Sequence, residues 1–268
     1  MTELQKNNVV YLASDGFLAA GGVAHGFSTR HGGVSSGIYA TMNLGSTRGD
    51  DPAAVRENFR RFCSAIGADD EHLVMTTQVH GTLIRPVTFA DVETDSYDRW
   101  EHECDGLITN LPGLALTVFS ADCIPVLFYD PIQRVIAAVH AGWRGTAADI
   151  AGKAVQMMKS DYLCNPDDIL AAIGPGISSC HFETHSDVPD AMTAALGELS
   201  APYITALESG KFQVDLKGIN AALLRRRGLR DDHIDISTDC TACLGDKYWS
   251  HRITQGKRGS QAAVIQLV

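Results

Sequence analysis

From residue 105 to residue 141 the chain is almost continuously apolar, and the few residues that interrupt this run constrain the fold more than any other feature. Gly106 to Thr109, Leu114 to Phe119, Ile124 to Tyr129 and Val135 to Val139 are apolar segments of strand length, separated by Pro112-Gly113, Ala121-Asp122-Cys123 and Asp130-Pro131. Short apolar runs bounded by turn residues read as buried strands. The connections at Pro112 and Asp130 are short enough to join antiparallel neighbours, so the stretch is not a simple series of parallel strand–helix–strand units. Nor is it a membrane span. Its longest apolar part, Leu114 to Tyr129, carries Asp122 in its middle and falls short of a bilayer's thickness.

Helical signals follow the strands. Thr146 with Asp149 three residues later has the pattern of a capping box, and Ile150, Ala154, Met157 and Met158 place one apolar face on a helix predicted from Thr146 to about Lys159. A second helix is predicted from Asp215. It carries Leu216, Ile219 and Leu223 on one face, and Arg225, Arg226, Arg227 and Gly228 close it in the order that the helix dipole and a glycine cap favour. Further strands are expected near Ile234 to Ser237 and Ala262 to Leu267. Strand groups joined by both short turns and helical crossovers place the chain in the α/β (α+β) class, with mixed sheets flanked by helices. Its 268 residues contain no linker, repeat or low-complexity tract, so a single domain over 1–268 is the expectation.

A net charge of −10 disfavours nucleic acid and anionic membrane surfaces as partners, since a negative protein releases no counterions from either. Any anionic substrate then needs a local cluster of Arg and Lys. The seven cysteines are odd in number and scattered, which points to reduced thiols rather than a disulfide framework. Glu3, Gln5, Asn7 and Asn8 stand where an export signal carries basic residues, and a cytoplasmic protein is the expectation. Nothing in the sequence fixes an oligomeric state.

Polar side chains at the ends of buried strands carry a desolvation cost unless they are partnered, which makes them informative. Three places stand out: Gln78-Val79-His80-Gly81 after the apolar Leu73 to Met75, Ala121-Asp122-Cys123, and His140 at a strand end. His80, Cys123 and His140 together suit Zn²⁺, which accepts imidazole and thiolate alike, and three protein ligands leave a fourth position open, as in catalytic sites. Spacing alone does not require this. The alternative is two hydrogen-bonded histidines and a small buried thiol.

Phe27-Ser28-Thr29-Arg30, Gly32-Gly33-Val34-Ser35, Asn43-Leu44-Gly45, Gln78-Val79-His80-Gly81, Asp105-Gly106-Leu107-Ile108-Thr109, Ala121-Asp122-Cys123, His140-Ala141-Gly142-Trp143-Arg144-Gly145 and Gly174-Pro175 resemble, in order, the motifs of the bacterial laccase-domain family. That family is also described as purine nucleoside phosphorylases related to the human laccase-domain protein. The likeness extends to Cys240-Thr241 and to Tyr248 through Arg252. It implies that His80, Cys123 and His140 are the metal ligands and catalytic residues. It also implies phosphorolysis of adenosine, inosine, guanosine and methylthioadenosine, with some adenosine deamination, a reaction that zinc serves by acidifying water. The implied fold is layered and similar to that of a toxin deamidase with a Cys-His centre. Correction of peptidoglycan precursors is attributed to some members.

With purine nucleosides and phosphate as partners, the cations in these motifs become candidates for substrate contacts. Arg30, before the flexible Gly32-Gly33, is placed to clamp phosphate with its fork of donors. Arg144, just ahead of a predicted helix start, lies where anions are favoured. Asn43 suits a ribose or purine edge, but Asn before Leu-Gly is equally turn chemistry. Three rivals stand beside this reading. His181-Phe182-Glu183 with Cys240-Thr241-Ala242-Cys243 resembles the two halves of a zinc nucleobase deaminase, although Asp239 replaces the expected proline. The bland reading of Cys240 and Cys243 is a strand-to-loop pair without metal. A copper laccase lacks support, because ten histidines include no His-x-His pair, although such ligands accept Cu²⁺ in vitro. A metal-free hydrolase or amidase would use Cys123 as nucleophile and His140 or His80 as its base.

Overall fold

Strands that are apolar along their whole length need cover on both faces. The computed structural model, which describes residues 1–92 and 103–268, supplies that cover by stacking two six-stranded sheets between helices. The first sheet has the order β1 (Thr2–Lys6), β2 (Val9–Ala13), β3 (Val23–Ser28), β15 (Gln261–Leu267), β7 (Ala115–Ser120), β4 (Leu73–Met75). The second runs β14 (Ile234–Ile236), β10 (Leu170–Ile173), β8 (Ile124–Asp130), β9 (Val135–Ala141), β6 (Gly106–Thr109), β5 (Ile84–Pro86). A small antiparallel sheet of β11 (Glu183–Thr184), β13 (Phe212–Val214) and β12 (Ile204–Ala206) lies apart from them. Both large sheets are mixed: β4 joins β7, β5 joins β6 and β14 joins β10 in parallel, and the other pairings are antiparallel.

The layers follow from which side chains meet. Leu116, Val118, Ile265 and Leu267 of the first sheet pack on Leu107, Leu127, Ile136 and Ala138 of the second. The outer face of the second sheet (Val126, Phe128, Ala137, Val139) is covered by α4 (Ile150–Tyr162), α5 (Asp187–Leu196) and α6 (Leu216–Arg226). The outer face of the first carries α2 (Pro52–Ile66), through Val55, Phe59 and Phe62 against Val9 and Val264. Two short helices, α1 (Asp15–Ala20) and α7 (His251–Thr254), cap edges. No helix among the described residues is long and apolar enough to cross a membrane.

Two expectations are corrected. The Pro112-Gly113 turn does not make a hairpin. β6 and β7 lie in different sheets, because β7 pairs with the distant β15 and the chain uses the turn to change layers. It changes layers again at Ala121-Asp122-Cys123, between β7 and β8. The second correction concerns the helix placed at Thr146. A short helix, α3 (Trp143–Ala147), begins earlier, and the chain breaks at Asp149, whose φ of 58° is left-handed. Asp149 rather than Thr146 caps α4, accepting from Gly152 N at 3.1 Å, and its carboxylate is gripped by the Arg227 guanidinium from the end of α6. That ion pair reaches across 78 residues, so no local pattern announces it. At Asp130 the turn is as expected, with the carboxylate accepting from Ile132 N and Gln133 N at 2.8 and 2.9 Å, and β8 and β9 pair antiparallel. The helix predicted from Asp215 is α6, capped by that residue through Gly218 N at 3.0 Å.

Candidate metal centre and its pocket

The centre is organised by a residue whose role the sequence reading did not assign. Asp105, fully buried just before β6, accepts from three successive backbone N–H groups: Val79 at 3.2 Å, His80 at 3.0 Å and Gly81 at 2.6 Å. Consecutive N–H groups in such a loop form an anion-binding concavity, and to make it His80 takes a left-handed φ of 61°. The same carboxylate meets His140 Nδ1 at 2.8 Å, and the Asp105 carbonyl accepts from His140 N at 2.7 Å. One buried acid therefore fixes the loop that carries His80 and the ring of His140. With Nδ1 of His140 engaged by the carboxylate, its Nε2 is the ring nitrogen left for the centre.

Cys123 enters from the crossover between β7 and β8, where Asp122 has a positive φ of 90°. Its Sγ lies 3.9 Å from His80 Nε2, and the donor atoms of His80, Cys123 and His140 all fall within 4.8 Å of one another. The two rings meet edge to face with centroids 4.9 Å apart. Gly142 closes the floor. A methyl group there would approach His80 Cδ2 to 2.9 Å and Cys123 Sγ to 3.3 Å, so the backbone comes as close to the donors as a glycine allows. Burial pushes the Cys123 thiol up, but the adjacent imidazoles more than offset this and hold it down to about 6. Burial works against a charged His140, yet the Cys123 and Asp105 anions raise it to about 9. A stabilised thiolate, two convergent imidazoles and an outer carboxylate form a donor set that fits a metal ion.

Above the donors opens a cavity of about 290 Å³, near the lower end of the range for small-molecule sites, roughly 300 to 1,000 Å³. Its walls include Trp143 and Phe182 as flat apolar surfaces and Arg48, Arg252 and Arg258 as cations. Arg258 is buried, donates Nη1 to the Gly259 carbonyl at 2.8 Å and to Ser260 Oγ at 3.1 Å, and leaves its Nε without a partner. Burial and the neighbouring Arg48 guanidinium pull it down to about 10. Two guanidiniums lining one cavity, with Arg252 beside them, form a local cation cluster on an acidic protein.

The cations picked out from the sequence stand elsewhere. Arg30 stacks on the Trp249 ring at 3.9 Å and donates to the carbonyls of Gly245 at 2.6 Å and Ala40 at 3.1 Å, so it ties three loops together outside this cavity. Asn43 is fully buried. Its Oδ1 accepts from Gly45 N and Ser260 N, both at 2.9 Å, and its Nδ2 donates to Asp50 at 2.9 Å, which is turn chemistry with no side facing a ligand. Arg144 is exposed on α3 and stacks on Trp143 at 4.1 Å, beside the wall but not among its lining residues. Arg48, Arg252 and Arg258 were missed because nothing in their neighbouring sequence separates them from other surface cations.

A family profile described as multi-copper polyphenol oxidoreductase laccase matches residues 24–268. The chain is 36% identical to the purine nucleoside phosphorylase YlmD of Geobacillus stearothermophilus, over 92% of this chain and 90% of that one. It is 38% identical to a purine nucleoside phosphorylase of Deinococcus radiodurans, over 91% and 89%. Among solved structures, the Bacillus licheniformis hypothetical protein YfiH superposes with a TM-score of 0.90 at 30% identity, covering 98% of this chain and 97% of the other.

Proposed function

Since the chain belongs to the multi-copper polyphenol oxidoreductase laccase family, we propose that it is a zinc-dependent purine nucleoside phosphorylase acting on adenosine, inosine, guanosine and methylthioadenosine, with a secondary adenosine deaminase activity. The observation that carries this reading is the meeting of a three-donor centre with a cavity that His80 and Cys123 line, walled by two flat aromatic rings and a cluster of arginines. His80, Cys123 and His140 would hold the ion, which when bound supplies a Lewis-acid centre beside the reacting atoms. Copper binding in vitro would report the same donors.

The remaining work falls to the chain's own groups. Trp143 and Phe182 flank a planar purine and exclude water from it. Arg48 and Arg258, which line the cavity, bind phosphate. Held there, a phosphate oxygen attacks C1′ of the ribose as the bond from C1′ to the purine nitrogen breaks, giving ribose 1-phosphate and a base that takes up a proton. Asp105 holds His140 in one orientation throughout.

A second reading has its own support. Asp105, His140 and the Cys123 thiolate also form an acid–imidazole–thiolate series, the arrangement of a metal-free cysteine hydrolase or amidase. Inosine turnover separates the two readings. Phosphorolysis requires added phosphate, yields ribose 1-phosphate and is lost when a chelator strips the metal. Purine release at full rate without phosphate, or full activity in metal-free protein that is lost on alkylating Cys123, would overturn it.

A further inference from the structure

β10 and β14 are parallel neighbours, so the chain leaves both at the same end of the sheet, and the two emerging loops stay side by side. A bridge continues between Gly176 and Cys240, with Thr241 N donating to the Gly176 carbonyl at 3.2 Å. This pairing brings Cys180 and His181 of the first loop against Cys240 and Cys243 of the second. In sequence His181 and the Cys240–Cys243 pair resemble the two halves of a deaminase motif, or Cys240 and Cys243 a pair without metal; in space Cys180 joins them. The four ligand atoms lie within 4.8 Å of one another. Cys180 Sγ is 3.5 Å from Cys243 Sγ, and His181 Nδ1 is 3.3 Å from Cys180 Sγ, 3.3 Å from Cys243 Sγ and 4.0 Å from Cys240 Sγ.

These separations discriminate between chemistries. A disulfide would need sulfurs about 2.05 Å apart. A tetrahedral zinc with bonds of about 2.3 Å to sulfur and 2.0 to 2.1 Å to nitrogen sets its ligands roughly 3.8 Å apart for two sulfurs and roughly 3.6 Å for sulfur and nitrogen. The observed cluster has the second spacing. Ser178 N donates to Cys240 Sγ at 3.3 Å, the kind of outer hydrogen bond that supports a thiolate ligand. The deaminase alternative also loses its acid, because Glu183 is bound to Lys211 Nζ at 2.6 Å and lies outside the cluster.

We propose that Cys180, His181, Cys240 and Cys243 form a second metal site, a closed Cys₃His zinc site that is structural. Four protein ligands leave no position for substrate. The apolar cluster these loops share is small, Ile177, Cys240 and Ala242 with Phe182 packed against it, and a metal there would supply what a larger core otherwise does. The clamp acts on the catalytic cavity. Ile177 N donates to the Asp122 carbonyl at 2.8 Å, Thr241 Oγ1 to the Asp122 carboxylate at 2.6 Å, and Arg252 Nη1 to the His181 carbonyl at 2.8 Å. Ile177, Phe182 and Arg252 of that cavity's wall therefore stand on the second site.

The test is metal counting on whole protein expressed with added zinc and purified under reducing conditions. About two equivalents per chain are expected, falling to about one in Cys123→Ser and to about one in the double variant Cys180→Ser with Cys243→Ser. His181→Cys should retain the second equivalent where His181→Ala loses it. Unaltered protein supplies a check that needs no variant: Cys180 and Cys243, though exposed, should resist alkylation until a chelator is added. A single equivalent that disappears in Cys123→Ser, unchanged metal in the double variant, or alkylation of both thiols at one rate with and without chelator would each overturn the proposal. One equivalent kept in Cys123→Ser and lost in the double variant would uphold this site while removing metal from the catalytic one.

Discussion

Replacing Asp105 by Asn tests the centre at its support. The change alters no first ligand and almost no volume, but an amide presents one acceptor where the carboxylate presents two. Asp105 Oδ1 serves His80 N and His140 Nδ1, and Oδ2 serves Val79 N and Gly81 N. Whichever way the amide turns, its NH₂ faces two donors: the part-buried N–H groups of Val79 and Gly81, or His80 N together with the buried His140 Nδ1. A stranded donor costs about 1 to 3 kcal/mol when buried, and water relieves part of that at the half-exposed loop, so a loss of roughly 2 to 4 kcal/mol is expected. Burial alone would push the Asp105 carboxyl up, but His140 and the loop N–H groups hold it below the usual range, so the wild-type residue is a carboxylate at neutral pH. Freed of that anchor, His140 no longer presents a fixed Nε2, and zinc affinity should fall about 10- to 100-fold. Chelator competition measures the affinity, and urea unfolding of the metal-free protein measures the stability. A folded Asp105→Asn protein with wild-type zinc affinity and less than about 1 kcal/mol of lost stability would refute the reasoning.

Three further outcomes are expected. Arg48→Ala removes one of two adjacent guanidiniums and should raise the KM for phosphate about tenfold, the effect of losing roughly 1.4 kcal/mol, with the KM for nucleoside little changed; steady-state kinetics with each substrate varied decides. Arg30→Ala should lower stability by about 2 to 4 kcal/mol through two lost carbonyl contacts and the Trp249 stack, and lower phosphorolysis and deamination equally, as read from denaturant midpoints and paired assays. His25, 4% exposed and accepting from Ser14 N at 2.9 Å, is held down to about 4 by burial. The unfolded chain binds its proton near 6.5, so the stability is complete above that pH and is lost as pH falls towards 4, about 3 kcal/mol in all. His25→Gln should flatten this part of the urea-midpoint profile between pH 6.5 and pH 4, and an unchanged slope would assign the acid lability to other groups.

Much of the second sheet was legible because its strands are buried on both faces, which writes them as unbroken apolar runs bounded by turn residues. The layer to which each strand belongs was not legible. β6 and β7 look like a hairpin, and only β15, at the far end of the sequence, shows that they part company. The three donors could be picked out as polar residues where apolar strands stop. Asp105 could not, since an acid before a glycine reads as turn chemistry until its four donors are seen in space. The cations failed for a related reason. An arginine that clamps loops, as Arg30 does, and one that faces a cavity, as Arg258 does, have the same local sequence signature. The Cys₃His cluster was half visible, and its wide separation hid the parallel pairing of β10 and β14 that closes it.

The place of β15 also bears on how the protein is made. Ala263 lies opposite Phe27 on one side and Val118 on the other, so the middle of the first sheet is supplied by residues translated more than two hundred positions after β3. While the ribosome is still reading the second sheet, β3 and β7 have edges with nothing between them, and exposed edges invite pairing with other chains. Contacts of such long range are also slow to form. A nascent chain halted before Gln261 would hold His80, Cys123 and His140 in full, yet the layer that carries the approach to Cys123 would lack its central strand. Synthesis of the donors therefore precedes assembly of the centre, and the interval between them is when this protein most needs shielding from its own kind.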